Sequence, residues 1–186
     1  MIWVGAILDA KMSDTNAFYA LRDELRTLRD LIPALRGEIT GGASGEQHTP
    51  WRDRLVQNVL PAIDLPLPVL LVAICGGGST GKSTLFNALT GLSVKVANYP
   101  GVTVSRHTGT AHVGGRTLVL EDLPGSYSLD PISPDEELIA EVLEADNPLR
   151  PDALLVVLDA TSLQRSLGLL AQVQQLRLPT IAVLSF

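Results

Sequence analysis

Apolar residues in the first third of the chain recur at alternating spacings of three and four, a pattern typical of one face of an α-helix. Pro33 is expected to end or kink this helix, and the glycine-rich segment 37–45 predicts a flexible connection. Thr49 and Pro50 fit the N-cap and the first residue of a second helix. The members of the first stripe are Phe18, Leu21, Leu25, Leu28, Ile32 and Leu35. These patterns predict a helical N-terminal region over residues 1–64.

Two interpretations of this N-terminal region stay open. The favoured one is a helical hairpin packed on the main domain. The alternative is a helix that docks a membrane-protein or ribosomal partner, or that forms a homodimer. The apolar patch that opens the chain is too short to cross a bilayer and has no basic residue before it, so it predicts neither a membrane span nor a signal peptide. Met12 is an equally good start for the polypeptide.

From residue 69 onward, short apolar runs alternate with helical patterns, as they do in α/β proteins. Gly114 and Gly115 separate two of the runs, which predicts an antiparallel hairpin. Ser133, Pro134 and Glu136 fit a capping box with proline at the first helical position. The predicted strands are 69–75, 106–113, 116–122, 153–160 and 180–186, and the predicted helices are a segment ending at Leu89, 133–145 and 163–176. This order predicts a mostly parallel sheet with helices on both faces over residues 65–186.

Composition narrows the class of protein. The chain has 186 residues, of which 46% are hydrophobic, enough for one ordinary domain with a small appendage. Its net charge of −6 gives no sign of a nucleic-acid-binding surface. The single cysteine, Cys75, excludes an internal disulfide framework and fits a reducing compartment. We therefore expect a cytoplasmic location, either free or at the inner face of the membrane through a partner.

The strongest chemical signal directly follows the first apolar run of this α/β part. Gly76, Gly81, Lys82 and Ser83 fit the G-x-x-x-x-G-K-[ST] phosphate-binding loop. Glycines let backbone N–H groups converge on a phosphate, and the N-terminus of the following helix adds partial positive charge. Lys82 is expected to reach the β- and γ-phosphates, and the Ser83 hydroxyl is expected to ligate Mg²⁺. The predicted nucleotide contacts in the loop are Gly76, Gly77, Gly78, Ser79, Thr80, Gly81, Lys82, Ser83 and Thr84.

A second part of the predicted site lies at the end of strand 116–122. Asp122 is positioned to hold Mg²⁺ through water, and the amide of Gly125, three residues on, is positioned to bind a γ-phosphate. The neighbouring Glu121 points to the opposite face of the strand and is expected to be structural. Asp159, after a buried strand, predicts a helix cap, whereas His107 and His112 face opposite sides of a strand and are expected to share no metal.

Four segments together resemble the G domain of the bacterial ferrous-iron transporter FeoB, within the TrmE–Era–FeoB group of GTPases. They are KSTLFNALTG, KVANYPGVTVSRHTG, LEDLPGSYSLDPISPDEELIAEVL and VLDATSLQRSLGLL. The resemblance covers about residues 69–186 and implies a P-loop NTPase fold of the Ras-like G-domain type. It implies that Thr103 ligates Mg²⁺ when GTP is bound, with switch I at 98–106 and switch II at 123–135.

The same resemblance implies GTP and GDP as ligands and Mg²⁺ as the metal. Ser83, Thr103 and Asp122 are then the metal-binding residues. Lys82, Thr103 and Gly125 are the residues that stabilise or sense the transferred phosphate. The implied function is that of a GTP-binding nucleotide switch with slow Mg-dependent GTP hydrolysis, in ferrous iron uptake. The alternative is a ribosome-associated or regulatory module with a vestigial nucleotide site and no transport role.

Three positions depart from the pattern of the group. Ser79 stands where potassium-activated members have asparagine, so little potassium stimulation is expected. Ser126 follows Gly125 where Ras-type enzymes carry a water-orienting glutamine, which predicts slow hydrolysis. Ser185 occupies the asparagine position of the guanine-reading N-K-x-D motif, and the chain ends at Phe186, so the G domain is expected to be C-terminally truncated.

These departures carry two expectations for the chain as a whole. The polypeptide is expected to separate guanine from adenine nucleotides poorly while still contacting phosphates. Without the last strand and helix, its sheet edge is expected to be exposed and to be covered by self-association. The N-terminal region, which contains no phosphate-ligand motif, is expected to be separable from phosphate binding.

Overall fold

The structure is a computed structural model of the chain and describes residues 3–8, 69–91, 94–113 and 116–185. The elements in chain order are β1 (Trp3–Leu8), β2 (Val69–Gly76), α1 (Lys82–Thr90), β3 (Val94–Asn98), β4 (Ser105–Val113), β5 (Arg116–Asp122), α2 (Pro134–Leu143), β6 (Ala153–Asp159), a 3₁₀ turn (Ala160–Ser162), α3 (Leu163–Gln175) and β7 (Thr180–Ser185). The strands belong to one sheet in the order β1-β7-β6-β2-β5-β4-β3.

The centre of the sheet is parallel. β2 pairs with β5 on one side and with β6 on the other, and β7 pairs with β6. The outer strands β4 and β3 continue the sheet in antiparallel pairs. This arrangement confirms the predicted α/β fold. It also brings the carboxyl ends of the parallel strands to one edge, where open α/β sheets bind ligands.

Helices cover both faces of the sheet, as predicted. The side chains of residues 153–158 in β6 alternate between two apolar layers and are fully buried, which explains the uninterrupted apolar run in the sequence. α1 packs on one layer, and α2 and α3 pack on the other. The residues of α1 in the core are Leu85, Phe86 and Leu89, and those of α2 are Leu138, Ile139, Val142 and Leu143.

Helix boundaries follow the signals in the sequence. The Ser133 side chain accepts from the amide of Glu136, and the Glu136 carboxylate accepts from the amide of Ser133, so the predicted capping box is present at the start of α2. Asp159 caps the 3₁₀ turn before α3 by accepting from the amide of Thr161, which confirms its predicted role. The start of α2 and the turn before α3 are therefore fixed by local hydrogen bonds.

The first strand lies where the sequence analysis predicted helical structure. Trp3–Leu8 was included in a helical region, but it forms β1 and pairs antiparallel with β7, with Trp3 opposite Ser185 and Leu8 opposite Thr180. The β7 edge that was expected to be exposed is thus occupied by a strand of the same chain. The predicted helices within 13–64 lie outside the described residues.

A second strand was also missed. β3 pairs antiparallel with the first half of β4, so the segment expected to form switch I is the loop of a hairpin. The strands on either side of Gly114 and Gly115 pair antiparallel, as predicted, and the two glycines themselves lie outside the described residues. Across the described ranges, no helix is both long enough and apolar enough to span a bilayer.

Candidate phosphate-binding site

The loop between β2 and α1 begins and ends at glycines that the geometry requires. Gly76 has a φ of +151°, and a Cβ there would lie 2.6 Å from the carbonyl oxygen of Val157 in the adjacent strand. Gly81 has a φ of +91° at the N-cap of α1. Both values lie where residues with a Cβ are strained. These two positions therefore explain why the loop motif has glycine at its first and sixth residues.

Side chains fold over the inside of the loop. The Thr80 hydroxyl donates to the carbonyl oxygen of Gly77 at 2.9 Å, and Lys82 Nζ donates to the same oxygen at 3.0 Å. Lys82 is only 8% exposed. Burial lowers the pKa of Lys82, and the carboxylate of Asp122 acts in the opposite direction. The ammonium group is thus held beside the loop by one neutral carbonyl, a contact that a phosphate can replace.

Ser83 and Asp122 meet across the sheet edge. The Ser83 hydroxyl donates to Asp122 Oδ2 at 2.7 Å, although the residues are far apart in the sequence. Asp122 Oδ1 is buried and has no hydrogen-bond partner among the described residues. Burial raises the pKa of Asp122, while the Ser83 hydrogen bond and the Lys82 charge counteract the rise. A hydroxyl, a carboxylate and an unsatisfied acceptor fit hydrated Mg²⁺, which prefers oxygen ligands and retains water.

Gly125 approaches the loop from the segment after β5. A Cβ at Gly125 would lie 3.1 Å from the backbone nitrogen of Gly78 and 3.3 Å from Lys82 Nζ. The amide of the next residue, Ser126, donates to the carbonyl oxygen of Gly76 at 3.0 Å. These contacts bring the predicted γ-phosphate residue next to the lysine. A Cβ at this point would be closer to these atoms than most side chains come to their neighbours, so a larger residue would crowd the lysine and the loop.

Tyr127 covers the outside of the loop, a contact that sequence reasoning missed. Its hydroxyl donates to the carbonyl oxygen of Gly78 at 3.1 Å, and its ring occupies the space that a side chain at Gly77 would need. The guanidinium of Arg165, in α3, lies 4.7 Å from the ring centroid. No local sequence pattern could show this stack, because it joins three segments distant in the chain.

The predicted residues that converge line one open groove of about 300 Å³. Lys82, Ser83, Asp122 and Gly125 belong to it. His107 of β4 lines it as well, because His107 lies directly opposite Asp122 in the antiparallel pair. The sequence analysis expected only that His107 shares no metal with His112, and the strand register is the signal that would have placed His107 here.

Thr103 does not join this group. It is exposed and lines a separate groove together with Tyr99, Val102 and Pro134 at the start of α2. Ser79 and Thr84 are also exposed, and Ser79 has a φ of +62°. The structure thus brings together the loop, Asp122 and Gly125, and leaves the predicted switch I threonine apart from them.

The fold and this site define a P-loop nucleotide-binding domain, because a glycine-bounded loop joins a central parallel strand to a helix that begins with the loop lysine. Residues 70–186 match the family model for ferrous iron transport protein B. The chain therefore belongs to the ferrous iron transport protein B family.

Relatives and solved structures agree with this assignment. An Fe(2+) transport protein A/Fe(2+) transporter FeoB fusion protein of Porphyromonas gingivalis is 38% identical over 117 residues, which are 63% of this chain and 14% of the relative. The G domain of the T. maritima FeoB iron transporter matches with a TM-score of 0.56 and 38% identity, over 60% of this chain and 69% of that one. This likeness confirms the predicted G-domain fold.

The T. maritima cytosolic domain is also similar in two nucleotide-bound forms. Its GDP form II matches with a TM-score of 0.53 and 40% identity, covering 56% of this chain and 40% of that one. Its GMPPNP form matches with a TM-score of 0.52 and 40% identity over the same shares. The chain spans about one seventh of the length of the curated relative it matches.

Proposed function

We propose that this chain binds GTP and GDP with Mg²⁺ and hydrolyses GTP slowly, as the nucleotide switch of a FeoB-type ferrous iron transport system in the cytoplasm. The observation that carries the proposal is the Ser83–Asp122 pair, at 2.7 Å, beside Lys82 at the mouth of the glycine loop. The nucleotide-bound forms of the T. maritima domain support guanine nucleotides as ligands.

Binding would exchange contacts within the loop for contacts to phosphate. Lys82 Nζ would leave the Gly77 carbonyl and pair with phosphate oxygens, a stronger charge-assisted contact. The loop amides and the N-terminus of α1 would supply further donors. Ser83 and Asp122 would hold Mg²⁺, which when bound neutralises charge on the phosphate oxygens.

Gly125 and Thr103 would distinguish triphosphate from diphosphate. The Gly125 amide lies in the segment that contacts Gly78 and Lys82, within the part of the groove where a γ-phosphate would lie. Thr103 would join only after its loop moves, since it lines a different groove here. A residue that reaches the site in one nucleotide state alone is what a switch requires.

Slow hydrolysis follows from Ser126. Its hydroxyl donates to the carbonyl oxygen of Ser128 and lies 3.2 Å from the carboxylate of Glu136. It also accepts from the amide of Ser128 at 3.0 Å. The side chain is buried and is committed to the start of α2. It would not orient an attacking water, the role of glutamine in faster enzymes.

Removal of the loop lysine tests the proposal. Lys82→Ala should weaken binding of GMPPNP with Mg²⁺ by about 10- to 150-fold, the equivalent of one hydrogen bond to a charged group, about 1.5–3 kcal/mol. Titration calorimetry on the full chain would measure it.

Lys95→Ala is the matched control, because Lys95 is exposed on β3 and lies outside the groove. The affinity of Lys95→Ala for GMPPNP with Mg²⁺ should equal that of the wild type. Equal affinities for wild type and Lys82→Ala would contradict the phosphate site, and a wild type that binds no nucleotide would favour the vestigial alternative.

A further inference from the structure

A buried polar cluster lies behind the groove. Glu121 is 1% exposed, and its carboxylate accepts from Arg106 Nε at 2.9 Å and from Arg106 Nη2 at 2.7 Å. Tyr99, which is 2% exposed, donates its hydroxyl to Glu121 Oε1 at 2.5 Å. The sequence analysis expected Glu121 to be structural, and its partners were not predicted.

Strand register explains why these residues meet. Thr108 of β4 lies opposite Glu121 of β5, and Arg106, two residues before Thr108, shares that face. Asp122 lies opposite His107 on the other face, toward the groove. The cluster and the Mg²⁺ ligand are therefore neighbours in sequence on opposite faces of one strand.

The cluster fixes both ends of the predicted switch I loop. Tyr99 is the first residue after β3, and Arg106 is the second residue of β4. The loop closes through two hydrogen bonds, from the Tyr99 amide to the Val104 carbonyl oxygen at 3.1 Å and from the Val102 amide to the Tyr99 carbonyl oxygen at 3.3 Å. Between the fixed ends, Thr103 is exposed.

The two ends of this hairpin loop and the residues between them differ in the contacts that must break before they can move. Separation of the ends would leave a buried carboxylate without its partners, a strongly unfavourable change. Between these ends, residues 100–103 are exposed and Val104 packs half-buried against the core, and the hydrogen bonds described for this segment are the two that close the loop. Burial and the hydrogen bond to Glu121 raise the pKa of Tyr99, which keeps its hydroxyl protonated as a donor. The ends are thus suited to stay in place while the middle moves.

We infer that Tyr99, Arg106 and Glu121 form an anchor that holds the two ends of switch I while Thr103 moves to the metal site. The three are positioning residues that act through Thr103. This inference rests on the proposed function, because it assigns Thr103 to the triphosphate-bound site. A fixed pair of ends limits the conformations that the loop must give up when Thr103 binds, and so favours the triphosphate state.

Tyr99→Phe tests the anchor with the least damage, since it removes one hydroxyl and keeps the ring in the core. GMPPNP affinity of the full chain should fall about 3- to 10-fold, because one or two more side chains would have to be ordered when the nucleotide binds. GDP affinity should stay within about twofold, since GDP does not recruit Thr103. Amide exchange at residues 101–105 should become faster without nucleotide.

A double-mutant cycle separates positioning from general damage. In a Thr103→Ala background, Tyr99→Phe should have no further effect on GMPPNP affinity. Thr117→Val is the matched control, because it removes the 3.3 Å contact with His112 at the other end of the same strand pair. Its ratio of GMPPNP to GDP affinity should equal that of the wild type.

Three results would overturn the anchor: no change in GMPPNP affinity, an equal loss for both nucleotides, or a loss that persists in the Thr103→Ala background. These outcomes require a wild type that binds nucleotide. A wild type without binding would refute the proposed function first, and the anchor with it, so the two failures are distinguishable.

Discussion

Ser79 shows how one loop residue bears on ion dependence. It is the fourth residue of the loop counted from Gly76, is exposed, and has a φ of +62°, which is uncommon for a residue with a Cβ. Asparagine adopts this conformation more readily than most residues and carries a carbonyl oxygen that serine lacks. Ser79→Asn is therefore compatible with the backbone as it stands.

We predict that GTP hydrolysis by the wild type responds little to replacement of sodium by potassium. Ser79→Asn should acquire potassium stimulation, because the side-chain carbonyl supplies an oxygen ligand next to the phosphates. Single-turnover rates in the two salts would measure both. Strong stimulation of the wild type would show that the Ser79 hydroxyl or water already supplies this ligand.

Residue identity and spacing were enough to place the loop, Lys82, Ser83 and Asp122 in the chain, but the hydrogen bond between Ser83 and Asp122 was not predicted. Each follows from a local motif, whose chemistry is the same wherever it occurs. Tyr127 and its partner Arg165 could not be predicted, since the stack depends on how the segment after β5 lies against α3. The buried partners of Glu121 needed a strand register that no local pattern contains.

At the scale of elements, caps fix where helices begin. Asp159 accepts from the Thr161 amide at 2.8 Å, from the Thr161 hydroxyl at 2.6 Å and from the Ser162 hydroxyl at 2.9 Å. Burial alone would raise the pKa of Asp159, but these hydrogen bonds outweigh it and the pKa is lowered. The ionised carboxylate is thus the form that stabilises the turn before α3.

Asp159→Ala should reduce the free energy of unfolding by about 1 kcal/mol at pH 7, the usual cost of a lost cap. Because the folded pKa is below the ordinary value of 3.8, the contribution is complete above that pH and is lost as the pH falls through the folded pKa. Urea titrations at pH 7 and near pH 3.5 would show the difference shrink. The exposed Asp146 offers a control, and an equal loss in Asp146→Ala would argue against the cap.

Helices and strands with a clear apolar pattern in their own sequence were predicted, and those without one were missed. β6 and α3 carry long apolar patterns, whereas β3 is five residues long and mostly exposed, so burial leaves little trace in its sequence. β1 is apolar but pairs with a strand at the far end of the chain. A pairing between strands so far apart in the chain leaves no pattern within a short sequence window.

At the scale of the whole molecule, β1 changes what is expected of the sheet edge. β7 is buried along its full length, and β1 satisfies its outer backbone groups through a register of six residue pairs. The sequence analysis expected this edge to recruit a second copy of the chain. Within the described residues the edge is instead covered intramolecularly, which removes the stated reason for self-association.

We predict that a polypeptide that begins at Met12 keeps phosphate binding but loses this cover. The loop between β2 and α1, Asp122 at the end of β5, and Gly125 after it lie on the opposite side of β6 from β1. Mg²⁺-GMPPNP affinity should therefore stay within about threefold of that of the full chain. The bare β7 edge should then pair with other copies, since unpaired strand edges template association. Sedimentation velocity over a range of concentrations would detect dimers or larger species. Deletion of residues 37–45, which the sequence predicts to be a flexible connection, is the control for shortening the chain. Deletion to Met12 that leaves both the oligomeric state and the unfolding free energy unchanged would mean that β1 contributes nothing to the sheet.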